Sequence, residues 1–201
     1  MANQRTSLAR RSAILTFIVV ATVLASACGG ALYKVKPVVE LPPLTGELKS
    51  ASGGGVRVVV APLLTDEDSQ ELFEANLPLA GVLPLRIELN YESGVPLEIK
   101  KARFRMHDGS GKEWKLLTPK QAISRVLKAN EVFAYNPNSR KQFETEFSAY
   151  GLDVKTPLSP TDRRRQGFLF FQTPDKEAVA SPRGLTLTVE GLLQKVEVPF
   201  N

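Results

Sequence analysis

The sequence predicts a mainly β domain over residues 56–201, an antiparallel β-sandwich with two or three short helices inserted. Three observations support this fold class. Several short segments alternate apolar and polar residues with the period of a strand. Turn residues such as Gly, Pro, Asn and Asp separate these segments at short spacing. Two other segments have the period of a helix and interrupt the strands.

The first half of this domain is predicted to contain a strand, a short helix and a three-stranded meander. Alternating valines predict a strand over 56–60, and acidic residues before an apolar pair predict a helix over 66–75. Residues 83–106 read as two strands joined by a turn, and 113–117 as the third strand of the meander. The apolar phase slips at Lys100-Lys101, which predicts a β-bulge there.

The second half begins with two helices and ends with three strands. Thr118 and Pro119 are a typical helix start, and Phe143, Phe147 and Tyr150 place one apolar face on a second helix over 139–150. The Pro-rich and Ser-rich segment 156–166 is predicted to be a loop. The remaining apolar segments predict strands over 167–171, 185–189 and 196–200.

Part of the chain resembles a known domain family. The stretch GVLPLRIELNYESGVPLEIKKARFRMHDGSGKEW, followed by QGFLFFQTP and GLTLTVEGL, resembles the telokin-like, immunoglobulin-like domains of many uncharacterised bacterial lipoproteins. Asn90, Asp108 and Gly109 stand at the turn positions of that pattern. The resemblance implies an immunoglobulin-like sandwich and carries over no catalytic residue. The helical region 118–151 departs from a minimal seven-stranded domain of this kind.

Residues 1–27 have the composition of a signal peptide. Arg5, Arg10 and Arg11 give the first eleven residues a positive charge with no acid, and an uncharged apolar run follows. This run is shorter than the roughly 20 apolar residues that a membrane-spanning helix needs, and it closes with small residues. We therefore expect an exported protein.

Ala25-Ser26-Ala27-Cys28 resembles a lipobox, the site at which bacterial lipoproteins are acylated on Cys and then cut before it. The resemblance implies lipid on Cys28. Cys28 is also the single cysteine of the chain, so it cannot form an internal disulfide, and acylation would remove an unpaired thiol from an oxidising compartment. Two alternatives remain open: an ordinary secretory signal with a free thiol, and an uncleaved anchor.

Residues 28–55 are predicted to be a lipidated N-terminus and a flexible tether, because they are rich in Gly and Pro and lack a periodic apolar face. Part of this segment, residues 33–44, is alternatively an edge segment of the domain. Gly29 bears on sorting: lipoproteins with Asp after the Cys often stay at the inner membrane of enteric-type bacteria. By resemblance, Gly29 favours the outer membrane, with the domain facing the periplasm.

The charge balance gives no reason to expect nucleic-acid binding. The full chain has 26 basic and 21 acidic residues, but removal of residues 1–27 takes away three basic residues and no acid. The remaining chain is close to neutral.

The sequence shows no catalytic apparatus, cofactor motif or metal motif. His107 is the single histidine, so a zinc site of imidazole and thiolate ligands and a Ser-His-Asp arrangement both lack their components. A pair of distant carboxylates that meet in space is not excluded by sequence. We expect a protein that is not an enzyme and has no cofactor and no metal.

Arg163, Arg164 and Arg165 form the one candidate binding motif after the signal. Three guanidinium groups in a loop are suited to bind phosphate or carboxylate on lipid head groups, cell-wall polymer or a partner protein. The alternative is a solvated loop whose charges keep the following apolar strand from pairing with other chains.

Together these features favour a lipid-anchored cell-envelope protein that acts as a non-enzymatic binding or structural module. Its expected partners are the membrane, through lipid on Cys28, and an envelope protein or cell-wall polymer, with binding by strand addition to a sheet edge. One alternative is an accessory, pilotin-like lipoprotein subunit of a secretion or envelope-assembly complex. A carboxylate-based hydrolase is a further alternative.

We expect lipid on Cys28 to be detectable directly. Wild-type protein in cells fed labelled palmitate should incorporate the label, and the Cys28→Ser variant should not. Equal labelling of both proteins would contradict acylation at this residue.

Overall fold

A computed structural model describes residues 33, 35–38, 44, 48–132 and 137–200. In these residues the fold is mainly β, as the sequence predicted, and it contains eight antiparallel strands and three helices. In chain order the elements are β1 (Lys49–Gly53), β2 (Val56–Pro62), α1 (Asp66–Phe73), β3 (Val82–Tyr91), β4 (Arg103–His107), β5 (Glu113–Leu117), α2 (Pro119–Ala129), α3 (Pro137–Ser148), β6 (Arg164–Gln172), β7 (Leu185–Glu190) and β8 (Val196–Phe200).

The strands form one sheet in the order β1-β2-β3-β6-β5-β4-β7-β8, and this sheet is nearly closed. The two ends of the sheet meet. The N–H of Gly54, in the turn after β1, donates to Oε1 of Gln194, which lies just before β8, at 3.0 Å. Gly54 has φ +59°, and a Cβ there would lie 2.7 Å from Cβ of Leu193, so this contact requires glycine. Strand β1 belongs to the segment that the sequence predicted to be a tether.

One hydrophobic core lies inside the curved sheet. Because side chains alternate along a strand, every second residue of the strands points inward. The inward residues of β3 and β6 are fully or almost fully buried, as are those of β7 and β8. The members from these four strands are Leu83, Leu85, Ile87, Leu89, Tyr91, Leu169, Phe171, Leu185, Leu187, Val189, Val196, Val198 and Phe200.

A second core lies between the outer face of the sheet and the three helices. Phe73 of α1 is at its centre, with ring centroids 5.0 Å from Phe147, 5.1 Å from Tyr150, 5.7 Å from Phe168 and 6.1 Å from Phe170. These rings come from α1, from the end of α3 and the turn that follows it, and from the outward positions of β6. The aromatic face predicted for the second helix is therefore part of a core, which is the usual position of large aromatic side chains.

Helices α1 and α2 begin where the sequence predicted, whereas α3 begins at Pro137, two residues before the predicted start at 139. Thr65 is the N-cap of α1, and its side chain accepts from the N–H of Asp68 at 3.1 Å. Thr118 and Gln121 form a capping box at the start of α2, with Pro119 at its first position. Predicted strands 113–117, 167–171, 185–189 and 196–200 are also confirmed.

The predicted pairing of the meander is wrong in one place. Strand β3 pairs with β2 and β6, and β4 pairs with β5 and β7, so the two strands within 83–106 are not neighbours. The predicted bulge at Lys100-Lys101 is a turn, in which the N–H of Ala102 donates to the carbonyl of Ile99. The apolar run of β6 pairs with β3 over nine residues, a long-range contact that local pattern does not reveal.

A short N-terminal segment is docked on the helical layer. The N–H of Lys36 donates to the carbonyl of Leu72 at 2.9 Å, and the carbonyl of Lys36 accepts from the hydroxyl of Tyr150. The ring of Tyr33 lies 5.4 Å from that of Phe143. Part of 33–44 therefore lies along the domain, one of the two alternatives. The described helices include none with the length and apolar character needed to cross a bilayer.

Phe73→Ala should lower the free energy of unfolding by about 3–5 kcal/mol, because it removes a fully buried ring that contacts four others. Leu79→Ala is the control, since Leu79 is 52% exposed and the change should stay within about 0.5 kcal/mol. Urea unfolding of both variants measures this, and equal stability of the two would contradict the central position of Phe73.

Candidate binding site

Strands β4 and β5 are joined by the turn 108–112 but separate along most of their length. They pair only beside the turn, at Met106 with Trp114 and at His107 with Glu113. Farther from the turn, β4 pairs with β7 alone and β5 pairs with β6 alone. The hairpin is therefore closed at its turn and open at its other end.

The two strands have different neighbours. Strand β5 is paired to β6 through Lys115 to Leu117, and α2 begins two residues later at Pro119. Beyond the end of β5, the chain after α3 takes its place beside β6: the N–H of Phe168 donates to the carbonyl of Tyr150 at 2.7 Å.

Gly167 makes this replacement possible. A Cβ at Gly167 would lie 2.6 Å from Cα of Leu152, closer than side-chain atoms approach a backbone. The absence of a side chain at Gly167 therefore lets residues 151–155 run directly against β6.

We call the space between these edges the opening. It is bounded by Arg103–Arg105 of β4, by Lys115–Leu117 of β5 and by residues 151–155. Two grooves of about 610 and 580 Å³ meet there and share Ala102, Phe104 and Leu116 in their walls.

The floor of the opening is apolar. Leu116 lies opposite Phe171, so it points to the inner side of the sheet, yet it is 39% exposed. Phe104 and Leu169 are inward residues beside it and are nearly buried. An exposed leucine on the core side of a sheet shows that this part of the interior is reached from outside.

The strand edges that face the opening have no strand partner in the described part of the chain. Beyond Met106, no residue of Arg103–Arg105 pairs with a residue of β5. Alternate residues of an antiparallel strand direct N–H and C=O to each side, so both edges present hydrogen-bonding groups to the opening.

The three arginines of the predicted motif do not all lie in the loop that the sequence had indicated. Arg164 and Arg165 belong to β6, so the loop prediction for 156–166 is wrong at its end. Their side chains lie on opposite faces of the strand. Arg163 precedes the strand, and its Nε donates to the carbonyl of Pro160. The three guanidinium groups therefore do not share one surface, and anion binding by this motif stays a prediction.

Two of these arginines have carboxylate partners. Arg164 donates to Glu88 at 2.6 Å. Burial acts to raise the pKa of Glu88, but hydrogen bonds from Arg164 and Asn90 outweigh it and lower the pKa. Arg165, with a side chain only 11% exposed, bonds the carboxylates of Asp153 and Asp162.

The turn that closes the β4–β5 hairpin is fixed by Asp108. Its carboxylate accepts from the hydroxyl and N–H of Ser110, from the N–H of Lys112 and from Nε1 of Trp114. These bonds, led by the Ser110 hydroxyl, lower the pKa of Asp108 to about 2. Trp114, the single tryptophan, is thereby held in the wall of the opening.

Cys28 lies outside the described residues. His107 is at the end of β4 and half-buried, and the described residues contain no group of three His, Cys, Asp or Glu side chains placed to hold a metal ion.

No family model matches the chain, and comparisons with curated proteins and with solved structures find no significant similarity. The opening was missed by sequence reasoning, which placed the strands of 83–106 and 113–117 side by side in one meander. Leu116-Leu117 is an adjacent apolar pair within a short alternating strand, and this pair was the available signal.

The roles of Arg163 and Arg165 can be distinguished by their effects on the free energy of unfolding. Arg165→Ala should lower the free energy of unfolding by about 1–3 kcal/mol, because two carboxylates and two carbonyls lose their donor. Arg163→Ala, the neighbouring control, should change it by less than about 0.5 kcal/mol. Equal effects in chemical denaturation would contradict the structural assignment of Arg165.

Proposed function

We propose that this protein is a lipid-anchored, non-enzymatic binding module of the cell envelope, and that it receives an extended segment of a partner protein in the opening by strand addition. The observation that carries this proposal is the pair of unpartnered strand edges beside an apolar floor. A bound segment would form main-chain hydrogen bonds with a strand edge and place every second side chain on the floor.

The size and lining of the opening fit such a segment. Grooves of about 580–610 Å³ are in the range of binding pockets, which is roughly 300–1,000 Å³. Leu116 gives the floor an exposed apolar contact that a partner side chain would bury. Burial of apolar surface and completion of backbone hydrogen bonds would both favour the complex.

The side chains around the opening support a binding role over hydrolysis. Its two carboxylates, Glu113 and Asp153, are each engaged by an arginine: Nε of Arg105 lies 4.0 Å from Glu113, and Arg165 donates to Asp153 at 3.1 Å. Asp153 also accepts hydrogen bonds from residues 155 and 156, and these lower its pKa. A general acid needs a raised pKa, so Asp153 is poorly suited to that role.

We also propose that the fold is an immunoglobulin-like sandwich. In it, β1, β2, β3 and β6 form one layer, β4, β7 and β8 form the other, and the interior core fills the space between them. The opening then lies at one of the two junctions between layers, beside β5.

The proposed anchor is lipid on Cys28, at an outer membrane, with the domain in the periplasm. Four residues separate Cys28 from Tyr33, whose ring is packed on α3. Five Cα steps span at most about 17 Å, so the docked segment would keep the helical layer close to the bilayer.

Photo-crosslinking in cells tests the binding proposal. A photo-reactive residue in place of Leu116 should capture one protein, and peptide mapping should locate the crosslink in an extended segment of it. The same residue in place of Leu79, an exposed leucine away from the opening, is the matched control. Leu116→Arg should then reduce recovery of this partner, and Leu79→Arg should not.

Two results would contradict the proposal. One is identical crosslinking from both positions, which would indicate contact without a site. The other is full recovery of the partner by the Leu116→Arg variant, which would place binding elsewhere on the surface.

A further inference from the structure

The rim of the opening carries an excess of positive charge. Arg103, Lys115 and Lys155 are exposed, and none of the described residues forms an ion pair with them. The two acids at the rim, Glu113 and Asp153, already have arginine partners. Glu190 of β7 lies opposite Arg103 without an ion pair between them, and the rim still carries net positive charge because no acid pairs with Lys115 or Lys155 in the described part of the chain.

From this we infer that the bound segment is apolar at its centre and acidic at its flanks; this inference rests on the proposed function. The apolar centre matches Phe104, Leu116 and Leu169 on the floor. The acidic flanks match Arg103 beside one strand edge and Lys115 beside the other. Basic flanks would bring like charges together without a compensating partner.

The position of these charges predicts how they act. Arg103, Lys115 and Lys155 are solvent-exposed, so their attraction to an acidic segment is screened by salt. Exposed complementary charge mainly raises the association rate and excludes wrong partners. The apolar floor is little affected by salt at moderate concentration, so it sets the part of the affinity that remains when the charges are screened.

Two synthetic peptides test this inference. Both have the same centre of alternating Val and Thr residues, and they differ only in having two Glu or two Lys residues at each end. Trp114 lies in the wall of the opening and is the single tryptophan, so its fluorescence reports binding without a label. Hydrogen exchange of Arg103–Arg105 and Lys115–Leu117 reports whether the peptide adds as a strand.

The acidic peptide should bind on the order of tenfold more tightly than the basic one at low salt. The difference should shrink as salt is raised. The double variant Arg103→Glu with Lys115→Glu should reverse the preference. The matched control reverses two exposed lysines of the helices, Lys128→Glu with Lys141→Glu, and should keep it.

The outcomes separate the two proposals. Equal binding of both peptides, with protection of the strand edges, overturns the charge inference and leaves strand addition standing. Absence of binding and protection with either peptide contradicts strand addition and the inference with it. Protection that rises with protein concentration alone would assign the opening to a second copy of this chain and would also overturn the inference.

Discussion

Strand β6 is the element on which the rest of the structure depends. It pairs with β3 along nine residues, and its side chains alternate between the two cores, with Leu169 and Phe171 inside and Phe168 and Phe170 under the helices. Its other edge is shared: β5 occupies it from Phe170 onward, and the chain after α3 occupies it at Phe168. Strand β5 pairs with β4 only at Glu113 and Trp114 and with β6 only from Lys115 to Leu117, and the opening lies where these two pairings diverge.

The opening leaves strand edges exposed, and exposed edges favour aggregation. Charged side chains beside a strand edge commonly prevent such aggregation, and Arg103, Arg105 and Lys115 place charge along both edges of the opening. We propose that these charges have two effects. They disfavour pairing between copies of the chain, and they favour a segment of opposite charge.

Local features of the sequence predicted every described element except β1, but they did not predict which strands pair over long range. Thr65, Thr118 and Pro119 fixed the helix starts because capping depends on neighbouring residues only. The pairing of β3 with β6 depends on residues some eighty positions apart, such as Ile87 and Gly167. Alternation shows which face is apolar but not which strand lies beside it, so the pairing of 83–106 was predicted wrongly and the opening was missed.

Residue-resolved hydrogen exchange can test whether β4 and β5 stay unpaired beyond Met106 and Trp114 in the free protein. We predict that some amides of Arg103–Arg105 and Lys115–Leu117 exchange rapidly, while those of Leu85, Ile87 and Leu89 in the fully paired strand β3 exchange slowly. Protection of every amide along both edges equal to that of β3 would instead show that β4 and β5 are paired along their whole length and that the opening is closed.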